Sequence, residues 1–117
     1  MLIVDDQPAV RGVFRLMLEA LGQVVTDHES VPEALQAGGE FAMIWLDISM
    51  PGIDGIEGAR LFRARPELRG ARLVALTGDT SPERQVAYRA AGFDDVVGKP
   101  ATLADLRAAL VRAGIGA

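Results

Sequence analysis

AMIWLDISMPGIDG, Ala42 to Gly55, runs through four large apolar residues, Met43 to Leu46, straight onto a carboxylate, Asp47, and then breaks at Pro51, Gly52 and Gly55. A continuous apolar run bounded by turn residues reads as a strand covered on both faces, the usual position of strands in a parallel sheet. An acid at the end of such a strand needs a physical reason, because burying an unpaired charge is costly. That reason must come from what neighbouring segments bring to the same end of the sheet.

Outward from this strand, short apolar β-rich runs alternate with helical patterns, the signature of a parallel sheet with crossover helices. Leu2 to Val4 is the first strand. Pro8 suits a first helical position, and Val10, Phe14, Met17, Leu18 and Leu21 form a core stripe at helical spacing until Gly22, with Arg11, Arg15 and Glu19 opposite. A short strand is expected near Gln23 to Thr26. Ser30 and Glu33 of SVPE make a capping box for a short second helix that Gly38 and Gly39 end.

Past the central strand, Phe41 to Leu46, a third helix is expected over about Ile56 to Ala64, stopped by Pro66. Strand four is Arg72 to Leu76, and TSPE, with Ser81 before Pro82, opens a fourth helix running to Gly92. Val96 and Val97 mark strand five, and Thr102 and Asp105 of TLAD cap the last helix. The tail after Ala113 is expected to fray. The fold class is therefore α/β, a doubly wound five-stranded parallel sheet with five helices.

Composition narrows the function classes. The 117 residues suit one domain, so residues 1–117 are read as a single unit. A net charge of -4 leaves no polyanion-binding footprint, which argues against direct nucleic-acid contact. With no cysteine, disulfides, thiol nucleophiles and thiolate metal sites are excluded. No apolar run reaches the roughly 18 residues of a membrane span, and the acidic start MLIVDD lacks the cationic segment of a signal peptide. A cytoplasmic protein is the expectation.

Ligands of doubly wound sheets bind at the carboxyl ends of the strands. Strand one ends on Asp5 and Asp6, strand three on Asp47, strand four on Thr77, and strand five on Lys99 after Gly98. Crowded carboxylates suppress one another's ionisation unless a cation joins them, and a small set of hard oxygens points to Mg²⁺. The lysine and the threonine hydroxyl suit anionic oxygens, and aspartate is a known nucleophile in phosphoryl chemistry. On this reading the strand ends on Asp47 because the chemistry sits at the rim.

LIVDD, LDISMPGIDG, LTG and GKP, in this order and on these strands, resemble the receiver domain of two-component response regulators, over essentially the whole chain. The resemblance implies the flavodoxin-like receiver topology. It implies Asp47 as phosphoacceptor from a histidine kinase or histidine phosphotransfer protein, and Mg²⁺ on Asp5, Asp6, Asp47 and the backbone carbonyl of Ser49. Thr77 would hydrogen-bond the phosphoryl oxygens, Lys99 would pair with them, and the Lys99-Pro100 bond would be cis. Such a domain is not an enzyme in isolation beyond assisting its own phosphorylation and dephosphorylation. It either stands alone or is a piece of a longer protein such as a hybrid histidine kinase, and the alternative is a degenerate receiver that only binds partners.

Other residues read more plainly. Asp54 is expected to set a turn with Gly55, Asp94 and Asp95 to form a solvated turn, and His28 to be structural, away from the acidic rim. Ser49 and Asp79 occupy positions that the family varies to tune phosphoryl lifetime. Val96 stands where receivers commonly carry an aromatic residue, so the usual aromatic switch is missing and a weak conformational response is expected. A phosphatase of the haloacid dehalogenase type would need a second acid where Ser49 stands. A flavodoxin-like cofactor module would want a phosphate loop where Asp5 and Asp6 stand.

Overall fold

The computed structural model describes residues 1–115. Strands β1 (Leu2–Val4), β2 (Thr26–His28), β3 (Met43–Asp47), β4 (Arg72–Thr77) and β5 (Asp95–Gly98) alternate with helices α1 (Pro8–Ala20), α2 (Val31–Ala37), α3 (Gly55–Arg63), α4 (Pro82–Ala91) and α5 (Leu103–Arg112). All the strands are parallel, in the order β2-β1-β3-β4-β5. The order reverses between β1 and β3, where a crevice opens beyond the strand ends in flavodoxin-like sheets.

Side chains alternate along each strand, so each strand feeds two cores. Leu2, Val4, Ile44, Leu46, Leu73 and Ala75 pack with Val31, Ala59, Phe62, Tyr88 and Ala91 from α2, α3 and α4. Ile3, Met43, Trp45, Val74, Leu76 and Val97 pack on the other face with Phe14 and Leu18 of α1 and Leu106 of α5. β1 and β3 are buried throughout and β4 from Leu73 onward, as their apolar runs require.

The second strand lies two to three residues beyond its expected place. Val24 is 86% exposed, and pairing with β1 starts at Thr26, whose register partner is Leu2. β2 is an edge strand held by its backbone, so hydrophobicity is a poor guide to its limits.

The helix ends hold further differences. At α2, Ser30 accepts the Glu33 N–H at 3.2 Å, but the Glu33 carboxylate bonds His28 Nδ1 at 2.8 Å instead of closing the capping box. The α5 box is reciprocal, with Asp105 N–H to Thr102 Oγ1 at 3.1 Å and Thr102 N–H to the Asp105 carboxylate at 2.9 Å. Asp54 is the N-cap of α3, accepting the Glu57 N–H at 3.0 Å.

Of the expected solvated turn, Asp94 is exposed at the bend before β5 but Asp95 is buried in the strand, and both are paired. Asp94 takes the Arg63 guanidinium at 2.6 Å and the Leu73 N–H at 2.9 Å, and Asp95 is buried on β5 against Arg112 at 2.8 Å. Two cations that are remote in sequence make these acids part of the sheet's support. The expected fraying does not begin at Gly114: its φ of 74° lets Gly114 N–H reach Val111 and Ile115 N–H reach the Leu110 carbonyl at 2.9 Å, a left-handed helix stop. The last two residues of that tail lie outside the described residues.

Candidate functional site

Alternation fixes which strand-end side chains can meet. Asp5 follows Val4, Asp47 ends β3, and Lys99 follows Gly98. Counting from the core positions of each strand, all three fall on the α1 and α5 side of the sheet. Lys99 Nζ lies 3.0 Å from Asp5 Oδ2 and 3.2 Å from Asp47 Oδ1. One ammonium thus holds two buried carboxylates, Asp5 at 1% and Asp47 at 4% exposure. The Lys99-Pro100 peptide bond is cis.

Asp6 completes the acid cluster: one carboxylate oxygen from each of Asp5, Asp6 and Asp47 lies within 4.8 Å of the others. The Asp5 carboxylate also accepts the Gln7 N–H at 2.9 Å, whereas Asp6 Oδ1 is buried without a hydrogen-bond partner. A buried carboxylate oxygen left unsatisfied costs free energy unless something binds it. Three hard oxygen donors, one of them orphaned, fit a divalent cation of the Mg²⁺ type.

Burial pushes the Asp47 carboxyl above its ordinary pKa. The neighbouring Asp5 charge adds to that, against the opposing pull of Lys99 and the Ser49 N–H. For Lys99, burial works against the ammonium, but the hydrogen bond to Asp5 and the charges of Asp47 and Asp5 outweigh it, so its pKa is raised. Lys99 therefore stays cationic wherever the protein is folded near neutral pH.

The loop after β3 brings Ser49 to the rim, where its N–H reaches Asp47 Oδ1 at 3.3 Å and its side chain is exposed. Gly55 lets α3 start directly beneath Asp47: a Cβ there would sit 2.5 Å from the Asp47 carbonyl oxygen. Asp54 caps α3 instead of joining the acids. His28 ends β2 beside α2 and spends Nδ1 on Glu33, outside the cluster, as its sequence position implied.

Thr77, on the opposite side of the sheet by the same alternation, is 5% exposed. Its hydroxyl is 2.9 Å from the Tyr88 hydroxyl and accepts the Asp79 N–H at 3.0 Å. Tyr88 is the residue that sequence reasoning missed: at its place in α4 a tyrosine reads as one more core residue. The available signal was the small Val96 together with an aromatic residue on the helix that precedes it. Val96 packs against the same cluster as Tyr88, so the space beside Thr77 is filled by an aromatic ring from α4.

Residues 1–111 match the response regulator receiver domain family. The chain belongs to that family, and so is a receiver domain of two-component signal transduction. It is 35% identical over 101 residues to the transcriptional regulatory protein ResD of Bacillus subtilis, covering 85% of this chain and 41% of ResD. It is 30% identical over 103 residues to the autoinducer sensor kinase/phosphatase CqsS of Vibrio cholerae, covering 86% of this chain and 15% of CqsS. The chain therefore spans less than half the length of either relative.

Among solved structures, the chemotaxis protein CheY4 of Vibrio cholerae superposes with a TM-score of 0.90 at 28% identity, covering 96% of this chain and 95% of that one. The receiver domain of sensor histidine kinase PA1611 from Pseudomonas aeruginosa, determined with a magnesium ion coordinated in its active site cleft, superposes with a TM-score of 0.86 at 29% identity, covering 97% and 95%. Among the described residues, no helix is long and apolar enough to cross a membrane.

Proposed function

We propose that this chain, read as one receiver unit, accepts a phosphoryl group on Asp47 from a phosphohistidine of a histidine kinase or phosphotransfer protein. The observation that carries this is the clustering of Asp5, Asp6 and Asp47 at the carboxyl end of the sheet, with Asp5 and Asp47 held on one lysine and an Asp6 oxygen left unpartnered. A binding-only receiver has no need to keep two buried acids on one ammonium.

An Asp47 carboxylate oxygen attacks phosphorus, the P–O bond forms as the P–N bond to the donor imidazole breaks, and the electron pair leaves with that nitrogen. Asp47 is held with a pKa raised by burial, which reflects incomplete solvation of its anion and favours its use as a nucleophile. Lys99, already 3.2 Å from Asp47, remains beside the new acyl phosphate as a fixed positive charge. The Thr77 hydroxyl supplies a hydrogen bond to the phosphoryl oxygens.

Asp5, Asp6, Asp47 and the Ser49 carbonyl would hold Mg²⁺, which when bound neutralises charge on the phosphoryl oxygens. In this reading the domain works in the cytoplasm and catalyses nothing but its own phosphorylation and dephosphorylation. Incubation with Mg²⁺ and acetyl phosphate should add one phosphoryl group that hydroxylamine removes, and Asp47→Asn should abolish it. Equal labelling of the variant, or label on His28, refutes the assignment.

A further inference from the structure

The hydroxyl of Thr77 has one proton to give, and in this structure it is spoken for. Tyr88, 1% exposed, brings its hydroxyl to 2.9 Å from Thr77 Oγ1 and to 3.0 Å from the Asp79 carbonyl oxygen, while the Asp79 N–H donates to Thr77 Oγ1 at 3.0 Å. If Tyr88 gives its proton to Asp79, the Thr77 proton goes to Tyr88, and the three bonds close a ring. The opposite direction leaves Thr77 with the longer 3.3 Å bond to the Asp79 carbonyl. The ring direction that makes the shorter bonds therefore commits the Thr77 proton to Tyr88.

Tyr88 is itself fixed in place. Its ring meets Phe93 edge-on, with centroids 6.2 Å apart at 80°, and the Arg84 guanidinium lies 5.3 Å over its face. Both hold the ring on α4 so that its hydroxyl reaches the end of β4.

We propose that Tyr88 is a positioning residue for phosphoryl transfer. It holds the Thr77 hydroxyl toward α4 while Asp47 is free, and must release it when a phosphoryl group arrives. This rests on the reading of Asp47 as phosphoacceptor. Release breaks the Thr77–Tyr88 hydrogen bond, while Tyr88 keeps its bond to the Asp79 carbonyl. The cost is one neutral hydrogen bond, so Tyr88 opposes the phosphorylated form, and the state of Asp47 is felt on α4 instead of at position 96 of β5.

The test is beryllofluoride affinity in the presence of Mg²⁺, measured by calorimetry on the whole chain for wild type, Tyr88→Phe, Thr77→Ala and the double variant. Phenylalanine keeps the ring and removes the competing hydroxyl, so Tyr88→Phe should bind roughly two- to tenfold more tightly than wild type. Thr77→Ala should bind more weakly, and in that background Tyr88→Phe should change nothing, because no hydroxyl remains to compete for. A purely structural tyrosine would alter unfolding in urea without this Thr77-dependent gain in affinity. Unchanged or weaker binding by Tyr88→Phe, with wild type binding normally, overturns the role of Tyr88 alone. Absence of binding by the wild type overturns the phosphoacceptor reading and this inference together.

Discussion

Gly55→Ala places one methyl group where the fold has no room. Its Cβ would lie 2.5 Å from the Asp47 carbonyl oxygen, 2.7 Å from Ile48 Cα and 3.0 Å from Ile48 Cδ1. Unstrained carbon contacts sit at about 3.5 to 4.0 Å, so α3 or the β3 end must move by about 1 Å. Overpacking of this kind costs about 1 to 3 kcal/mol, and the upper half applies because two of the three atoms are backbone. Better helix propensity returns part of it, up to about 1 kcal/mol in a helix interior and less at this first position. The net loss is about 2 kcal/mol, which for a domain of this size lowers Tm by about 8 °C. Gly12→Ala is the control, since a Cβ there meets nothing within 4 Å on the exposed face of α1. That variant should gain about 0.5 to 1 kcal/mol. Paired urea melts, together with acetyl phosphate labelling, read both effects, and Gly55→Ala should also slow labelling because the displaced carbonyl belongs to Asp47. Equal stability of Gly55→Ala and wild type, or shifts of the same sign for both variants, would refute the close-approach argument.

Mg²⁺ should raise Tm progressively through the millimolar range, by about 2.7 kcal/mol of stability at a hundredfold excess over Kd, while sodium at matched ionic strength does not. Asp6→Asn should blunt this response, and a melting curve indifferent to Mg²⁺ in the wild type counts against the acidic site. Asp105, whose pKa is lowered first by the Thr102 N–H and then by the Thr102 hydroxyl, has a depressed folded-state value. Its capping contribution is therefore present above the ordinary carboxylate range and lost as pH falls through that depressed value. Asp105→Asn should be less stable than wild type near pH 7, with the gap closing in acid. A gap that is constant with pH contradicts the capping assignment.

The apolar run ending at Asp47, the helical stripe of α1 and the TLAD cap were legible from sequence because they rest on local periodicity and local hydrogen bonds. So were the residues gathered at the rim: in a parallel sheet the strands all run one way, and their carboxyl ends share one edge. Which acids share the ammonium was not legible, since it depends on strand alternation counted across three strands in register. The roles of Asp94 and Asp95 were set by Arg63 and Arg112, cations distant in sequence, and the start of β2 by pairing with β1 instead of by its own hydrophobicity. Tyr88 illustrates the division most clearly. Sequence marks it as a core residue of α4, but only the packing of α4 against β4 and β5 brings its hydroxyl to Thr77, because hydrogen bonds between side chains on different elements follow from three-dimensional placement that no local pattern encodes.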